Sequence, residues 1–428
     1  MTILKPGDPN YKAALAALNR DAEPDPRVRE TVSKIIADIR KRGDSALIEF
    51  TEKFGGPKLT ANQLKVSAAE FKAAEKKVDA RTRAAVEVSH TNVGEFARKS
   101  LRKSWSGKNR QGGKVGERFD PFQRVGIYVP GGTAPLVSTA LMTCTLAAAA
   151  GVPEIVVTTP ADKSGVVNPA LLHALRVAGA TEVYKVGGAQ AVAALAYGTE
   201  SIPHVLKIFG PGNAYVVEAK RQCFGRVAID LLPGPSEILV IADKTANAAW
   251  IASDLLAQAE HGHGSGVIFV TDSARKLAEV ATAFETQLAK LSRQEHLREV
   301  AELTTHLILV KKLSEAVTIA NHYAPEHLAI VAADDEKLAA QIRTAGAIFL
   351  GGYSPVVAGD FVAGPSHELP TGGAGKSFPG LTVDQFQRRT SIVRLDRKSL
   401  KALLPSIQTF SEIEGLDAHG RSATIRFE

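Results

Sequence analysis

From residue 125 onward the chain alternates short β-branched runs with stretches rich in alanine and leucine, and this alternation restricts the possible folds more than any other feature. Runs such as VGIYV, EIVVTTP and EVYKVG have the composition of strands, whereas PALLHALRVAGA and AQAVAALAYG have the composition of helices. Regular alternation of this kind is typical of parallel βαβ units. The sequence therefore predicts an α/β fold with parallel sheets.

The alternation falls into two series, which predict two Rossmann-like globules. The first series continues through the strand HVLKIFG and closes with the strand SEILVIAD. The second contains the helix NAAWIASDLLAQAEHG, the strands VIFVT and HLILV, a long charged helix over residues 274–291, and the strands AIVAA and AIFLG. Small helical pieces are predicted at both ends. At the N-terminal end, Val32, Ile35, Ile36 and Ile39 fall on one helix face.

Length and composition indicate an ordinary soluble protein with more than one domain. The chain has 428 residues, of which 45% are hydrophobic and 23% charged. It lacks an apolar run long enough to cross a membrane, and its first residues lack the apolar region of a signal peptide, so we expect a cytoplasmic protein without a membrane partner. Cys144 and Cys223 are too few for a disulfide framework or a CxxC metal site. Any metal must therefore be held by nitrogen and oxygen ligands.

The net charge of +7 comes from one segment, residues 98–118, which carries eight basic residues against the single acid Glu117. The rest of the chain is neutral. We predict a solvated loop or hairpin here, with a phosphate-attracting lip on a cofactor or nucleic-acid site as the alternative. Trp105 alone makes a poor stacking platform for nucleic-acid bases, so no nucleic-acid partner is expected.

The stretch AQAEHGHGSGV places candidate metal ligands at a helix end. Gln258 and His261 are three residues apart and project from one helix face, whereas Glu260 points away and His263 follows Gly262, where the helix stops. An amide oxygen and an imidazole suit a borderline divalent ion such as zinc. Spacing alone leaves open the alternative of a polar helix end whose histidine complements the helix dipole.

Glu326 and His327 are adjacent in NHYAPEHLAI, directly after Pro325. Because proline interrupts the preceding helix, both side chains can face a cleft. A carboxylate beside an imidazole suits general base chemistry on a water and on an alcohol proton. A surface ion pair in a loop is the alternative.

The segment SPVVAGDFVAGPSHELPTGGAG carries Asp360 and His367 in a long Gly/Pro-rich loop after the strand AIFLG. Long loops without secondary structure are usually functional or disordered, and this one is expected at the carboxyl end of a strand, where open α/β sheets bind ligands. Nearer the C-terminus, His419 follows Glu414 by five residues, and on its own it is a surface histidine.

Glycine turns after strands indicate a cofactor. FGPGNAY (209–215) follows the strand HVLKI, and VGGAQAV (186–192) joins another strand to a helix. Free backbone N–H groups at such helix starts can face a phosphate or an amide. The proline between the glycines of FGPGNAY departs from the GxGxxG fingerprint, so each turn is a weak signal alone.

Nine segments taken together resemble the histidinol dehydrogenase family, in order and across essentially the whole chain. They are RVGIYVPGGTAP, KVGGAQAVAALAYGTE, FGPGNAYVVEAKRQ, DLLPGPSEILVIAD, DLLAQAEHG, YAPEHL, AGAIFLG, GDFVAGPSHELPTGG and EGLDAHGRSA. The resemblance implies a cytoplasmic homodimer that binds one Zn²⁺ per subunit. It also implies oxidation of L-histidinol to L-histidine through L-histidinaldehyde with two NAD, the last steps of histidine biosynthesis.

The resemblance also implies a role for each candidate residue. Zinc would be bound by Gln258, His261 and Asp360, with His419 supplied by the other subunit, and not by His263. His327 would accept the alcohol proton, and Glu326 would activate the water that adds to the aldehyde.

The remaining implied roles concern substrate and cofactor. Residues that bind zinc, together with His327, would also contact the substrate, whose pocket is completed by Ser236, His367 and, from the neighbouring subunit, Glu414. NAD would contact Tyr128, Gln190 and Asn213.

The implied division has four parts: a helical arm (1–25), a first globule built from 26–127 and 238–381 that carries most of the metal and acid/base site, a second, NAD-binding globule (128–237), and a C-terminal helical piece (382–428) that reaches the partner subunit.

Three other functions are weighed against histidinol oxidation. Relatives in the family oxidise other small alcohols, including sulfonated ones. A metal-dependent hydrolase would use the same ligands with Glu326 as base, but would need an open zinc position and would leave the glycine turns unexplained. A nucleic-acid-binding protein would use the basic segment.

Overall fold

The computed structural model describes residues 1–18, 25–131, 135–262 and 264–428. Its strands are β1 Thr2–Leu4, β2 Trp105–Lys108, β3 Lys114–Pro121, β4 Arg124–Tyr128, β5 Glu154–Thr158, β6 Glu182–Tyr184, β7 Lys207–Phe209, β8 Ala228–Ile229, β9 Glu237–Ala242, β10 Gly266–Thr271, β11 Thr305–Leu309, β12 His327–Val331, β13 Ala347–Leu350 and β14 Gln387–Arg394.

Helices occupy most of the remaining described residues. They are α1 Tyr11–Ala17, α2 Pro26–Arg42, α3 Asp44–Lys53, α4 Ala61–Leu64, α5 Ala68–Lys77, α6 Ala80–Lys99, α7 Val137–Ala149, α8 Pro169–Val177, α9 Gly188–Tyr197, α10 Ala214–Cys223, α11 Ala248–Ala259, α12 Ala274–Leu288, α13 Gln294–Thr304, α14 Leu313–Tyr323, α15 Asp335–Ala339, α16 Val356–Phe361, α17 Arg397–Glu414 and α18 Asp417–Thr424. Short 3₁₀ turns lie at Ala374–Lys376, Val383–Phe386 and Ile425–Phe427.

The first βα series forms a five-stranded sheet in the order β6-β5-β4-β7-β8, with every pair parallel. Helices join each strand to the next, as the alternating sequence predicts. The strand order reverses at β4, because β5 pairs with one side of β4 and β7 with the other. Such a reversal opens a crevice at the carboxyl ends of the strands, between β4 and β7.

The second series forms a six-stranded sheet in the order β1-β11-β10-β9-β12-β13, also parallel throughout. The two-globule α/β prediction is thus confirmed, with two corrections. SEILVIAD does not close the first sheet: it is β9, a central strand of the second, because residues 230–236 cross from one sheet to the other. The N-terminal arm is not wholly helical either, since Thr2–Leu4 pairs with β11; residues 19–24 of that arm lie outside the described residues.

Helix α1 packs with the six-stranded sheet, whereas α2, α3 and α5 pack on the helices that cover the five-stranded sheet. The apolar face predicted from the sequence is buried on α2, and α2, α3 and α5 lie against α8, α9 and α10. These helices, predicted to belong with residues 238–381, therefore pack on helices within residues 128–237. Apolar periodicity shows which face of a helix is buried but not which sheet covers it, so the sequence offered no signal for this choice.

The basic segment 98–118 forms part of an antiparallel hairpin, as predicted. Strands β2 and β3 pair through the register Trp105 to Glu117, and β14 pairs with the other edge of β3. The Trp105 Nε1 donates to Glu117 Oε2 at 2.9 Å. The C-terminal piece, predicted as helical, therefore contains a strand, Gln387–Arg394, which follows a short 3₁₀ turn and precedes α17 and α18.

Within the described ranges, none of the helices combines the length and apolar character needed to cross a membrane.

Phe386 connects the C-terminal segment to the five-stranded sheet. Its ring is fully buried and stacks on Phe209 at the end of β7, with centroids 3.9 Å apart. We expect Phe386→Ala to lower the free energy of unfolding by about 3–5 kcal/mol, because it removes a large apolar side chain and leaves a cavity. Urea denaturation followed by circular dichroism measures this. The exposed Leu303→Ala on α13 is the control and should change it by less than about 0.5 kcal/mol. Equal losses for the two variants would contradict the prediction.

Candidate active site

Predicted site residues from three parts of the chain meet at the amino edge of the six-stranded sheet. His327 is the first residue of β12 and Glu237 the first of β9, and these strands are neighbours. Helix α11 connects β9 to β10 and returns the chain to the amino edge, so Gln258 and His261 at its end lie there too. We predicted Asp360 at the carboxyl end of a strand within an irregular loop. It lies instead on the short helix α16, which brings it back toward the start of β12.

Glu326 is buried and held in a fixed orientation. Its Oε2 accepts hydrogen bonds from Ser236 Oγ at 2.5 Å and from the backbone N of Glu237 at 2.8 Å. Burial raises the pKa of Glu326 to about 7, although the positive charge of His327 and the bond from Ser236 oppose that rise. A carboxyl group with this pKa can accept a proton from water and release it again near neutral pH.

His327 is buried beside Glu326, and its tautomer is fixed by the backbone. Nδ1 lies 3.0 Å from the carbonyl oxygen of Glu237, which can only accept, so Nδ1 carries the hydrogen. Nε2 faces Asp360 Oδ1 at 3.5 Å. Burial by itself lowers the pKa of His327, but the carboxylates of Glu326 and Asp360 outweigh that effect and raise it. Nε2 is therefore the atom that can take up a proton.

Asp360 and His367 form the next layer of the site. Burial favours the neutral carboxyl of Asp360, but His327, His367 and His261 together hold its pKa below its usual value. His367 Nδ1 donates to the carbonyl oxygen of Asp360 at 2.8 Å, and its Nε2 lies 3.4 Å from Glu368 Oε1 and 3.3 Å from Thr139 Oγ1. Glu368 and Asp360 raise the pKa of His367 against the effect of burial. Asp360 is thus an ionised carboxylate in a cluster of imidazoles.

Gln258 and His261 have the chemistry of metal ligands. The buried amide of Gln258 has its Nε2 without a hydrogen-bond partner in the part of the chain that the structure describes. Because an amide can be turned by 180°, its oxygen can occupy that position instead. His261 is exposed at the mouth of the site, yet desolvation by the surrounding protein lowers its pKa despite the opposing charge of Asp360. A neutral imidazole is the form that binds a metal.

This donor set fits a borderline divalent ion. An amide, a neutral imidazole and an ionised carboxylate match the preferences of zinc. Over residues 1–18, 25–131, 135–262 and 264–428, no three or more His, Cys, Asp or Glu side chains are placed to hold a metal together. A metal site formed with His261 and Asp360 would therefore include the Gln258 amide.

The predicted ligand His419 and the predicted substrate contact Glu414 lie elsewhere, and His263, predicted not to bind the metal, falls outside the described residues. Glu414 ends α17 and His419 lies on α18, and both are exposed. His419 lines a separate surface cavity of about 550 Å³ together with Asp396, Arg397 and Phe427. A single chain thus does not bring His419 to the Gln258 cluster.

The predicted cofactor contacts converge at the carboxyl edge of the five-stranded sheet. Tyr128 ends β4, and its hydroxyl accepts from the backbone N of Gly188 at 3.2 Å. Gln190 follows on α9 and is buried, with its Oε1 lacking a partner among the described residues. Asn213 caps α10, accepting from the backbone N of Tyr215 and Val216, which leaves its amide N–H groups as donors. These residues border the crevice between β4 and β7.

Sequence reasoning missed two hydroxyls at this edge. Thr158 ends β5 and Thr159 follows it; both are fully buried, and their side-chain oxygens have no partners within the described ranges. The signal was available in EIVVTTP, because two hydroxyl residues directly after an apolar strand are placed at its carboxyl end.

The chain is similar over its whole length to proteins of one known family. The family model for histidinol dehydrogenase matches residues 18–427. The histidinol dehydrogenases of Syntrophotalea carbinolica and Agrobacterium fabrum are 44% and 46% identical to the chain, over 100% and 97% of it and 99% and 95% of their own lengths. The crystal structure of histidinol dehydrogenase from Elizabethkingia anophelis superposes with a TM-score of 0.95 at 35% identity, covering 100% of this chain and 98% of that one.

The raised pKa of Glu326 predicts a pH-dependent stability. Between its ordinary value of 4.5 and about 7, the folded chain holds a proton that the unfolded chain has lost. Stability from this group is therefore present at low pH and is lost as the pH rises through 7. The effect of Glu326 on the pKa of His327 acts in the same direction.

In Glu326→Gln the amide oxygen still accepts both hydrogen bonds but no longer titrates. The difference in melting temperature, variant minus parent, should be about 2–3 °C larger at pH 8 than at pH 5. The variant lacks the loss of stability, up to about 3 kcal/mol, that the ionisation of Glu326 causes in the parent as the pH rises. Differential scanning calorimetry of metal-free protein measures this. The exposed Glu336→Gln is the control. A difference independent of pH would show that Glu326 titrates normally.

Proposed function

Because the chain belongs to the histidinol dehydrogenase family of NAD-dependent dehydrogenases, we propose that Glu326 and His327 carry out the proton transfers as L-histidinol is oxidised to L-histidine with two NAD. The observation that carries this proposal is the orientation of the pair. The backbone at Glu237 fixes the His327 tautomer, and Ser236 with the Glu237 N–H fixes the Glu326 carboxylate. Two bases held side by side match a reaction that must remove a proton from an alcohol and then from a water.

In the first step His327 accepts the hydroxyl proton at Nε2 while a hydride leaves the carbinol carbon for the nicotinamide ring, which gives L-histidinaldehyde. The Asp360 carboxylate, 3.5 Å from Nε2, stabilises the imidazolium that forms. In the second step Glu326 takes a proton from the water that adds to the aldehyde carbon. As the water adds, His327 returns its first proton to the carbonyl oxygen, which gives the hydrate. His327 then accepts a proton from the hydrate as the second hydride leaves, and the carboxylic acid that results ionises to the carboxylate of L-histidine.

Gln258, His261 and Asp360 would hold the zinc ion. Their neutral amide, neutral imidazole and ionised carboxylate support this assignment. When bound, the ion would orient the substrate through the substrate's imidazole and amino nitrogens. Protein and substrate would then fill the positions around it, so it would not supply a hydroxide. Ser236 and His367 border the same space and contact the substrate.

The shape of the C-terminal piece supports a homodimer with shared active sites. Helices α17 and α18 pack mainly on each other, and they present apolar side chains to solvent: Phe410 is 63% exposed and Ile413 74% exposed. Exposed apolar surface of this kind marks an interface. In the proposed dimer, the partner subunit's His419 completes the metal site and the partner subunit's Glu414 contacts the substrate.

Tyr128, Gln190 and Asn213 are the proposed NAD contacts. Three observations support this role: their position at the reversal point of the five-stranded sheet, the Gln190 Oε1, which has no hydrogen-bond partner among the described residues, and the exposed Asn213 side chain. The place of the family in histidine biosynthesis supports a cytoplasmic location, where NAD is available.

The direct test is the number of NADH formed per L-histidinol consumed by the purified protein. We expect two, with activity lost on chelation and restored by zinc. Turnover of other small or sulfonated alcohols but not of L-histidinol would reject the substrate. Retention of full activity after chelation, with zinc shown by elemental analysis to be absent, would reject the metal.

Glu326→Gln should separate the two oxidation steps. The variant keeps His327 for the first step but lacks the base for the water, so the yield should fall from two NADH per L-histidinol toward one, and aldehyde should accumulate. The second step should slow by about 10²–10⁴-fold, the range of general base catalysis. His327→Gln is the comparison and should slow both steps. A yield that stays at two in Glu326→Gln at undiminished rate would contradict the assigned role.

A mixed dimer tests whether sites are shared. Gln258→Ala and His419→Ala should each be inactive as homodimers. In a purified heterodimer of the two, one site carries both substitutions and the other carries neither, so about half of the normal activity should return on simple site counting. An inactive heterodimer would show that each subunit uses its own His419.

A further inference from the structure

Lys220 and Asp230 form a buried ion pair that the proposed chemistry does not use. Lys220 lies on α10 and Asp230 directly follows β8. Their side chains are 0% and 2% exposed, and Lys220 Nζ contacts Asp230 Oδ1. Removing two charges from water costs several kcal/mol per ion, so such a pair is a poor source of stability compared with apolar side chains of the same size. The remaining polar contacts of the pair show what it holds.

Both members of the pair bind the same residue, Gly210. Lys220 Nζ donates to the carbonyl oxygen of Gly210 at 2.8 Å, and the backbone N of Gly210 donates to Asp230 Oδ2 at 2.7 Å. Both backbone polar groups of this glycine are thus paired with charged partners. Hydrogen bonds to charged groups are stronger than those between neutral groups, so the position of Gly210 is closely fixed.

Gly210 is the first residue of the turn that leads from β7 to Asn213. Its φ of +107° favours glycine, and a Cβ at this position would lie 2.1 Å from the carbonyl oxygen of Tyr128. The turn therefore lies directly against the end of β4. Any shift of Gly210 would displace Asn213 relative to Tyr128.

Asp230 is also the first residue of the crossing, the segment 230–236 that leads from the five-stranded to the six-stranded sheet. At the far end of this crossing, Ser236 donates to the Glu326 carboxylate. Gly234 lies within the same crossing, and its backbone N donates to Thr371 Oγ1. The ion pair thus links the glycine turn to the segment that supports Glu326.

We propose that the Lys220–Asp230 pair is a positioning device for cofactor binding: it holds the 210–213 turn against Tyr128 and ties that turn to the crossing that carries Ser236. This inference rests on the proposed NAD contacts at Tyr128 and Asn213. Lys220 and Asp230 touch neither substrate nor cofactor, and act through the backbone of Gly210.

The test compares Lys220→Met with the double variant Lys220→Met, Asp230→Leu. The single variant leaves a buried carboxylate unpaired and should lower both the melting temperature and the affinity for NADH. The double variant removes the unpaired carboxylate and should regain part of the melting temperature, but not all of it, because the backbone N–H and C=O of Gly210 stay without partners. It should still bind NADH at least about tenfold more weakly, which corresponds to about 1.4 kcal/mol, because Gly210 has lost its partners.

NADH affinity is measured by fluorescence titration, with the NAD KM and kcat at saturating NAD as second readouts. KM should rise with the dissociation constant, while kcat and zinc content change little. Arg124→Met is the matched control. Arg124 is a buried cation that pairs with Glu154 and Glu182 at the amino ends of β4, β5 and β6, the opposite end of the same sheet from the proposed NAD contacts. It should lower the melting temperature without weakening NADH binding.

Asn213→Ser separates failure of this inference from failure of the proposed function. Serine keeps the helix cap but removes the amide donor. If Asn213→Ser weakens NADH binding and the double variant does not, the positioning role is wrong and the cofactor site stands. If Asn213→Ser leaves NADH binding unchanged, the cofactor assignment fails and the inference fails with it. A double variant that regains both stability and affinity would make the pair purely structural.

Discussion

The site depends on a carboxylate buried where two parallel strands begin. Glu326 precedes β12, and its neighbour β9 supplies both the Ser236 hydroxyl and the Glu237 N–H that hold the carboxylate. A buried charge is tolerated only when its hydrogen-bonding positions are filled, so this edge of the sheet has to be built around Glu326. The carbonyl of Glu237 then fixes the His327 tautomer. One residue at a strand start thus determines the orientation of both proposed bases.

The loop 362–372 connects the two sheets at this site. Ser366 Oγ donates to the carbonyl oxygen of Met142 on α7, which belongs to the five-stranded half, while the backbone N of Gly372 donates to Glu237 Oε1 on the six-stranded sheet. His367 within this loop contacts both Thr139 and the backbone of Asp360. The amino edge of one sheet and the segments flanking the other are therefore held together by hydrogen bonds around the cluster of histidines and carboxylates.

Charge balance inside the cluster follows from where each group is buried. Asp360 stays ionised because imidazoles surround it, whereas Glu326 is pushed toward its neutral form because burial outweighs the single nearby imidazole. Two carboxylates of ordinary chemistry thereby acquire different protonation behaviour. One is suited to ligating a cation and the other to accepting a proton from water, which is the division of labour that the proposed reaction needs.

Alternating periodicity was enough to predict the parallel strands and helices, and residue types were enough to suggest a candidate site at Gln258, His261, Glu326, His327 and Asp360. Which strands pair was set by the folded structure. SEILVIAD belongs to the second sheet, Thr2–Leu4 adds an edge strand, and Asp360 returns on a short helix to the amino edge of β12. The burial that shifts the pKa of Glu326, and the closure of Lys220 and Asp230 around Gly210, are likewise tertiary. Periodicity records which face a segment buries, whereas pairing and desolvation depend on contacts between residues far apart in the chain, for which a single sequence carries no local signal.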